Sequence, residues 1–178
     1  NALLNLINQN NINPNDIGRV YLGTESAVDG SKPTATYAVE IVEQELIKEY
    51  GERSFKHCDI LDMTFACVGA VDALHNTLDW VNQDKNRKAI VIASDLSKYD
   101  LNSTGEYTQG AGAVACLVCH NPSILSIHNT WGVASKSEGD FFKPRRTYKK
   151  TELLESILES LKVESSEKTI TTLLESNV

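Results

Sequence analysis

The feature that most constrains the fold is a nearly continuous run of β-branched and small apolar residues at positions 88–94, with the sequence KAIVIAS. Such a run is typical of a strand buried on both faces, because a strand with one solvated face alternates apolar and polar side chains. Apolar residues at helical spacing predict helices at 34–50 and 68–81, and a short strand is predicted at 17–23. Strands that alternate with helices predict a layered α/β fold.

The carboxyl-terminal part of the sequence adds two predicted strands and two predicted helices. An apolar run that ends at Cys119 predicts a buried strand, and a second strand is predicted at about 123–131, so that the two form a late β pair, for which an antiparallel arrangement stays open. Two apolar stripes predict two amphipathic helices, built on Leu153, Leu154, Ile157, Leu158 and Leu161 and on Ile170, Leu173 and Leu174. The simplest division places residues 1–148 in one partial domain and 149–178 in a helical insertion or the start of the next segment.

Composition and charge argue against several classes of protein. The 178 residues are 41% hydrophobic, which suits one sizeable globular core, and no apolar stretch is long enough to cross a bilayer or follows a basic segment as in a signal peptide. A net charge of -7 argues against a general nucleic-acid binder, since that activity needs a basic surface. Four cysteines without the spacing of a disulfide framework fit a reducing compartment, so we expect a cytoplasmic protein with no membrane or nucleic-acid partner.

Cys67 lies where a predicted strand and turn give way to the helix at 68–81. Unpaired backbone N–H groups and the positive end of the helix dipole favour a thiolate at such a position and an oxyanion beside it. From position alone two interpretations stay open: a reactive nucleophile, or a small apolar residue that fills space beneath the helix.

Cys116 and Cys119 have the C-x-x-C spacing of a zinc or redox motif. A second ligand pair is absent, however, and a strand would turn the two side chains to opposite faces, so no metal site is predicted.

Four separated motifs occur in order between residues 17 and 146: Gly23-Thr24-Glu25-Ser26, Phe65-Ala66-Cys67-Val68-Gly69, the glycine-rich run at 105–115, and Gly139-Asp140-Phe141-Phe142-Lys143-Pro144. Together they resemble the hydroxymethylglutaryl-CoA synthases, which belong to the thiolase-like superfamily of condensing enzymes. The resemblance implies a thiolase-like layered αβα fold, of which the sequence carries the amino-terminal half only, followed by extra helices. It also implies a homodimer, and a full enzyme roughly twice as long as this sequence.

The resemblance implies a reaction in two halves that are joined by a covalent intermediate. Cys67 is implied as the nucleophile that takes an acetyl group from acetyl-CoA as a thioester, and Glu25 as the base that removes a proton from the acetyl methyl group. The resulting carbon nucleophile attacks the ketone of acetoacetyl-CoA, and hydrolysis releases 3-hydroxy-3-methylglutaryl-CoA. Tyr99 is implied near the reaction centre and Thr108 in contact with substrate, although ordinary packing explains Tyr99 equally well. Coenzyme A thioesters are the expected substrates, and no further cofactor is expected.

The sequence also departs from the family pattern. The family uses a histidine well downstream of the aromatic-proline motif, and none of the histidines lies there: His57, His75, His120 and His128. The segment on its own is therefore expected to be inactive. Two alternatives stay open: a β-branching synthase of polyketide assembly that uses an acyl-carrier-protein donor, or a non-catalytic interaction fragment. The basic residues around Pro144 are either an anchor for the phosphates of coenzyme A or a solvated surface segment.

Overall fold

The computed structural model describes residues 1–137 and 150–160 and contains a four-stranded sheet and four helices. The helices are α1 (Ala2–Asn10), α2 (Thr34–Tyr50), α3 (Gly69–Val81) and α4 (Lys150–Ser160), and the strands are β1 (Ile17–Thr24), β2 (Asp59–Thr64), β3 (Lys88–Ser97) and β4 (Gly110–Cys119). Short 3-10 turns occupy Pro14–Asp16, Ala66–Val68 and Glu106–Thr108. The helices predicted at 34–50 and 68–81 are confirmed, and so are the strands predicted at 17–23 and 88–94, the second of which continues to Ser97.

The sheet is mixed, with three parallel strands and one antiparallel strand. Its order is β2-β1-β3-β4, in which β1 is parallel to both β2 and β3, and β4 is antiparallel to β3. The carboxyl ends of the three parallel strands therefore lie at one edge, where Gly23 pairs with Met63 on one side and with Ala93 on the other. Residues that follow these strand ends meet at this edge, which is where ligands bind in sheets of this kind.

The central strands face two separate cores, and alternate residues point to each of them. Val20 of β1 and Ile90 of β3 belong to a core shared with α1 and α2. Tyr21 and Val91, one position further along each strand, belong to a second core shared with α3. Each large apolar side chain that is fully buried contributes ~1.5–3 kcal/mol. Helices thus cover both faces of the sheet, which confirms the predicted layered α/β fold.

Two expectations about the carboxyl-terminal strands are wrong. The run that ends at Cys119 forms β4, but most of β4 is exposed, because within the described residues it pairs with β3 alone. Cys116 is exposed and Cys119 is only half-buried. No strand forms at 123–131 in the structure, where Ile124 is 97% exposed, since a strand needs a neighbour to accept and donate its backbone hydrogen bonds. The antiparallel pair is therefore β3 with β4.

The chain divides into two compact units, Asn1–Ala134 and Ser135–Val178. The second contains α4, which confirms the first of the two predicted carboxyl-terminal helices. The second predicted helix, the motif at 139–144 and the predicted boundary between residues 148 and 149 lie outside the described residues. Among the helices that the structure describes, none is both long enough and apolar enough to cross a membrane.

Candidate active site

The site lies at the carboxyl ends of the parallel strands, where the end of β1 touches the beginning of α3. Glycine on both sides makes this contact possible, because a Cβ at Gly23 would collide with backbone atoms of Gly69 and Ala70. A Cβ at Gly69 would lie 2.5 Å from the carbonyl oxygen of Met63. As a result, α3 begins directly against the strand end, and the turn Ala66–Val68, which immediately precedes α3, lies at the same edge of the sheet.

Cys67 lies in the middle of this turn, and its side chain is exposed. The structure therefore places it immediately before α3, as the sequence predicts. The first N–H groups of α3 receive no side-chain cap from the preceding residue, Val68. The Gly69 N–H donates to the Phe65 carbonyl oxygen (2.7 Å), and the positive end of the helix dipole favours a negatively charged sulfur or oxygen at this point.

Glu25 begins the loop that follows β1, and it is half-buried. The Tyr99 Oη lies 2.8 Å from both Oε1 and Oε2 of Glu25, so the hydroxyl donates its hydrogen to this carboxylate. The hydrogen bond to Glu25, with a smaller effect of burial, raises the pKa of Tyr99 above its ordinary value of 10.0. Tyr99 thus stays protonated at neutral pH and acts as a donor that orients the carboxylate.

Tyr99 also interacts with the two other predicted site residues. A side-chain hydrogen bond with Thr108 lowers the pKa of Tyr99, whereas the negative charge of a Cys67 thiolate raises it, so both groups lie within range of the hydroxyl. The ring of Tyr99 lies against the backbone of Gly105, where a Cβ would run into the ring. The structure therefore places Tyr99 where the three other predicted site residues, Glu25, Thr108 and Cys67, all act on its hydroxyl.

Sequence reasoning did not single out Asp95, whose carboxylate organises the start of the same loop. Its Oδ1 accepts hydrogen bonds from the Thr24 hydroxyl (2.8 Å) and from the Glu25 N–H (2.7 Å). The Ser26 N–H (3.3 Å) and hydroxyl (3.1 Å) donate to the same oxygen, and Ser26 Oγ in turn accepts the N–H of Leu96 (2.9 Å). These bonds join β3 to the loop and fix the backbone that carries Glu25.

The surroundings of the site combine an open groove with exposed apolar side chains. The groove has a volume of about 310 Å³ and runs along the end of β3 and the beginning of β4, with Asp95 and Thr108 in its lining. Phe65 and Leu96, which flank the site in sequence, are 60% and 56% exposed, and Tyr107 is 95% exposed. The groove offers space for a small acyl group beside Thr108, and the apolar side chains offer contact area for a larger ligand.

The histidines have other surroundings. His75 of α3 stacks on Trp131, with ring centroids 4.2 Å apart, and its Nε2 lies 3.8 Å from Asp79 Oδ2. His57, His120 and His128 are exposed, and His128 does not lie in a strand. Within residues 1–137 and 150–160, no group of three or more His, Cys, Asp or Glu side chains is arranged to hold a metal ion.

The sequence matches the family model described as "Hydroxymethylglutaryl-coenzyme A synthase N terminal" over residues 1–123. The chain belongs to the hydroxymethylglutaryl-CoA synthase family. A hydroxymethylglutaryl-CoA synthase of Haloferax volcanii is 36% identical over 150 residues, which cover 83% of this chain and 33% of that protein. The chain thus spans about a third of the length of the curated relatives it matches. Membership of this family confirms the resemblance carried by the sequence motifs.

Solved structures of hydroxymethylglutaryl-CoA synthases have the same fold. An HMG-CoA synthase complexed with CoA matches with a TM-score of 0.63 and 33% identity, over 84% of this chain and 37% of that chain. MvaS in complex with 3-hydroxy-3-methylglutaryl coenzyme A matches with a TM-score of 0.51 and 32% identity, over 66% of this chain and 26% of that chain. These likenesses confirm the thiolase-like fold for the part of the enzyme that the chain covers.

Proposed function

We propose that the full-length protein is a hydroxymethylglutaryl-CoA synthase, an acyltransferase of the mevalonate pathway that condenses acetyl-CoA with acetoacetyl-CoA. The observation that carries the proposal is the Tyr99 hydroxyl, which donates to Glu25 and lies within electrostatic range of Cys67. Glu25, which accepts the Tyr99 hydroxyl, and the Cys67 thiol supply the base and the nucleophile that a two-step condensation needs. Structural relatives that hold CoA or 3-hydroxy-3-methylglutaryl-CoA support the class of substrate.

In the first half of the proposed reaction, the Cys67 sulfur attacks the acetyl carbonyl of acetyl-CoA. The bond between the acetyl carbon and the sulfur of coenzyme A breaks, coenzyme A leaves as a thiol, and the acetyl group stays on Cys67 as a thioester. Exposure of Cys67 gives a bulky donor access to the sulfur. The N–H groups at the start of α3 stabilise the negative charge that develops on the carbonyl oxygen.

In the second half, Glu25 removes a proton from the methyl group of acetyl-Cys67. The carbon nucleophile that results attacks the ketone carbon of acetoacetyl-CoA, and the ketone oxygen takes up a proton and becomes the hydroxyl of the product. Water then cleaves the thioester, which releases 3-hydroxy-3-methylglutaryl-CoA and restores the Cys67 thiol. Tyr99 and Asp95 hold Glu25 in place throughout, and Thr108 contacts the substrate from the groove.

The proposed setting follows the chemistry of the chain. All four cysteines are free thiols, which fits a reducing compartment, and the proposed location is the cytoplasm. Acetyl-CoA and acetoacetyl-CoA are the proposed substrates, with no further cofactor. A homodimer is the proposed assembly.

The test uses the full-length protein and compares Cys67→Ser with Cys116→Ser, a matched control at the other exposed cysteine. Wild type and Cys116→Ser are expected to form an acetyl-enzyme from acetyl-CoA, measured by intact-protein mass spectrometry, and Cys67→Ser is expected to form none. Glu25→Ala is expected to form the acetyl-enzyme but to lose condensation with acetoacetyl-CoA by about 100-fold or more, because a general base contributes a factor of this size.

Each assignment has an outcome that contradicts it. Equal acetylation of Cys67→Ser would reject Cys67 as the nucleophile, and an unchanged condensation rate in Glu25→Ala would remove Glu25 from the mechanism. Rapid acetylation of Cys67 from an acetylated carrier protein, with none from acetyl-CoA, would instead assign the protein to β-branching in polyketide assembly.

A further inference from the structure

Asp62 of β2 caps a helix to which it does not belong. Its Oδ1 accepts the N–H of Ala35 (3.0 Å), and its Oδ2 accepts the N–H of Thr34. These are the first two residues of α2, and the preceding Pro33 provides no side-chain cap. Since the first N–H groups of a helix have no partner within the helix, the Asp62 carboxylate satisfies two of them from a neighbouring strand.

This contact connects the two segments that carry the proposed nucleophile and base. Asp62 lies in β2, which runs directly into the turn that holds Cys67. On the other side of the contact, α2 follows the loop at 25–33, whose first residue is Glu25. Asp95 fixes the beginning of this loop through the Glu25 N–H (2.7 Å). Carboxylates from two different strands therefore hold the loop at both of its ends.

The loop at 25–33 is also bonded to the beginning of α2. Asp29 accepts the N–H of Ser31 (2.9 Å) and the hydroxyl of Tyr37 (2.7 Å), which lies in α2. The N–H of Val28 donates to the Thr34 hydroxyl oxygen (3.1 Å). The loop and the first turn of α2 thus form one hydrogen-bonded body, and Asp62 attaches that body to β2.

We propose that Asp62 is a positioning residue for condensation: its carboxylate joins the loop of Glu25 to the strand that leads into the turn of Cys67, and so sets the distance between the base and the acetyl-cysteine. This role rests on the proposed function of Glu25 and Cys67. Acetylation requires only Cys67 and a bound donor, whereas proton removal requires Glu25 and acetyl-Cys67 at the correct distance and orientation. Loss of the Asp62 contact should therefore slow condensation far more than acetylation, because small displacements of a catalytic group cost large factors in rate.

The test compares Asp62→Ala and Asp62→Asn with Asp59→Ala in the full-length protein. Asp59 is a matched control on the same strand, because its carboxylate accepts the Tyr21 hydroxyl (2.7 Å) and pairs with Arg19, and both partners belong to β1. Three quantities are measured for each variant: the rate of acetyl-enzyme formation, the condensation rate at saturating substrate, and the thermal midpoint of unfolding.

The expected result is a split between the two steps. Asp62→Ala should acetylate within about threefold of wild type and should lose condensation by about 10-fold to 100-fold. Asp62→Asn should recover part of the condensation rate, since its amide oxygen still accepts an N–H. Asp59→Ala should lower the thermal midpoint and leave the ratio of the two rates unchanged.

Three results would overturn the positioning role: an equal loss in both steps for the Asp62 variants, an unchanged condensation rate, or the same change of ratio in Asp59→Ala. If Asp62→Ala does not fold, Asp62→Asn decides between the same outcomes. A wild-type protein that forms no acetyl-enzyme on Cys67 would reject the proposed function and this role with it. If wild type is active in both steps and the Asp62 variants have the same rates as wild type, the role of Asp62 alone is rejected.

Discussion

The carboxylate of Glu25 at the candidate site is oriented by a single phenolic hydrogen. Tyr99 has one hydroxyl hydrogen, yet its oxygen lies 2.8 Å from both carboxylate oxygens of Glu25, so the two acceptors share it. Deprotonation would place a phenolate against a carboxylate, and the hydrogen bond to Glu25 accordingly raises the pKa of Tyr99. The hydroxyl is therefore a donor throughout the neutral range, and it holds the carboxylate in one orientation.

Replacing Tyr99 with Phe removes this donor and keeps the ring against Gly105. We expect condensation by the full-length Tyr99→Phe protein to fall by about 10-fold or more near neutral pH. Because the pKa is raised in the folded protein, the contribution of the hydroxyl is complete below pH 10.0 and is lost as the pH rises through the higher folded-state value. The pH–rate profile of wild type should therefore fall above pH 10.0. If the rate of Tyr99→Phe falls by the same amount above pH 10.0, the group that titrates in this range is not Tyr99.

Short motifs indicated which residues to place at the candidate site, but not what holds them in place. Glu25, Cys67, Tyr99 and Thr108 each lie in a run with a distinctive local composition. Asp95 and Asp62 do not, because their hydrogen-bond partners lie 69 to 71 and 27 to 28 residues away. From sequence, both are ordinary acids on a strand or loop. Only the pairing of β1 with β2 and β3 brings them to the loop of Glu25.

Among the secondary-structure elements, β1 and α3 make the closest approach at the site. Gly23 and Gly69 allow backbone to lie on backbone, and the Cα of Gly23 would be 3.3 Å from a Cβ placed on Gly69. Glu25 follows Gly23 by two residues, and Cys67 precedes Gly69 by two residues. The separation between the strand end and the helix start therefore determines how the proposed base and nucleophile lie relative to each other.

Gly23→Ala tests this contact against Gly18→Ala, a control on the same strand. A methyl group at Gly23 meets backbone atoms that cannot rotate away. We expect Gly23→Ala to lower the free energy of unfolding by ~1–3 kcal/mol and to slow acetylation of Cys67 by about 10-fold or more. A methyl group at Gly18 meets the Trp80 side chain instead, so Gly18→Ala should reduce stability without slowing acetylation of the folded protein. Urea unfolding and acetylation rates measure the two effects. Unchanged acetylation in folded Gly23→Ala would show that the contact does not position the turn.

Elements were predictable where periodicity and burial agree. The helix at 34–50 has the bounds of α2, because its apolar stripe packs on the sheet, and the apolar residues 89–92 of β3 are buried because both faces of the strand are covered there. Apolar content predicted burial wrongly in segments that no other element covers. Val114 of β4 is 61% exposed, and Ile124 lies in a segment that has no strand beside it in the described part of the chain. Periodicity predicts which face is apolar, but burial depends on a neighbour that the pattern itself does not specify.

Across the whole molecule, packing protects the four cysteines to different degrees. Cys58 packs against the core shared by α1 and α2, where burial, followed by the charges of Asp59 and Glu43, raises its pKa to about 12. Cys67 and Cys116 are exposed at the opposite extreme. Since thiol reactivity follows exposure and the fraction of thiolate, alkylation rates report on the integrity of the α1 and α2 core separately from the rest of the sheet.

We expect alkylation by iodoacetamide to separate Cys58 from Cys116 in the folded protein. A rise in pKa from 9.0 to about 12 lowers the thiolate fraction of Cys58 about a thousandfold near neutral pH, so Cys58 should react at least ~100-fold more slowly than Cys116. In urea that unfolds the chain, burial and fixed charges no longer act, and the two cysteines should react at similar rates. Peptide-level mass spectrometry after timed alkylation measures both. Equal rates in the folded protein would contradict the raised pKa and the burial of Cys58.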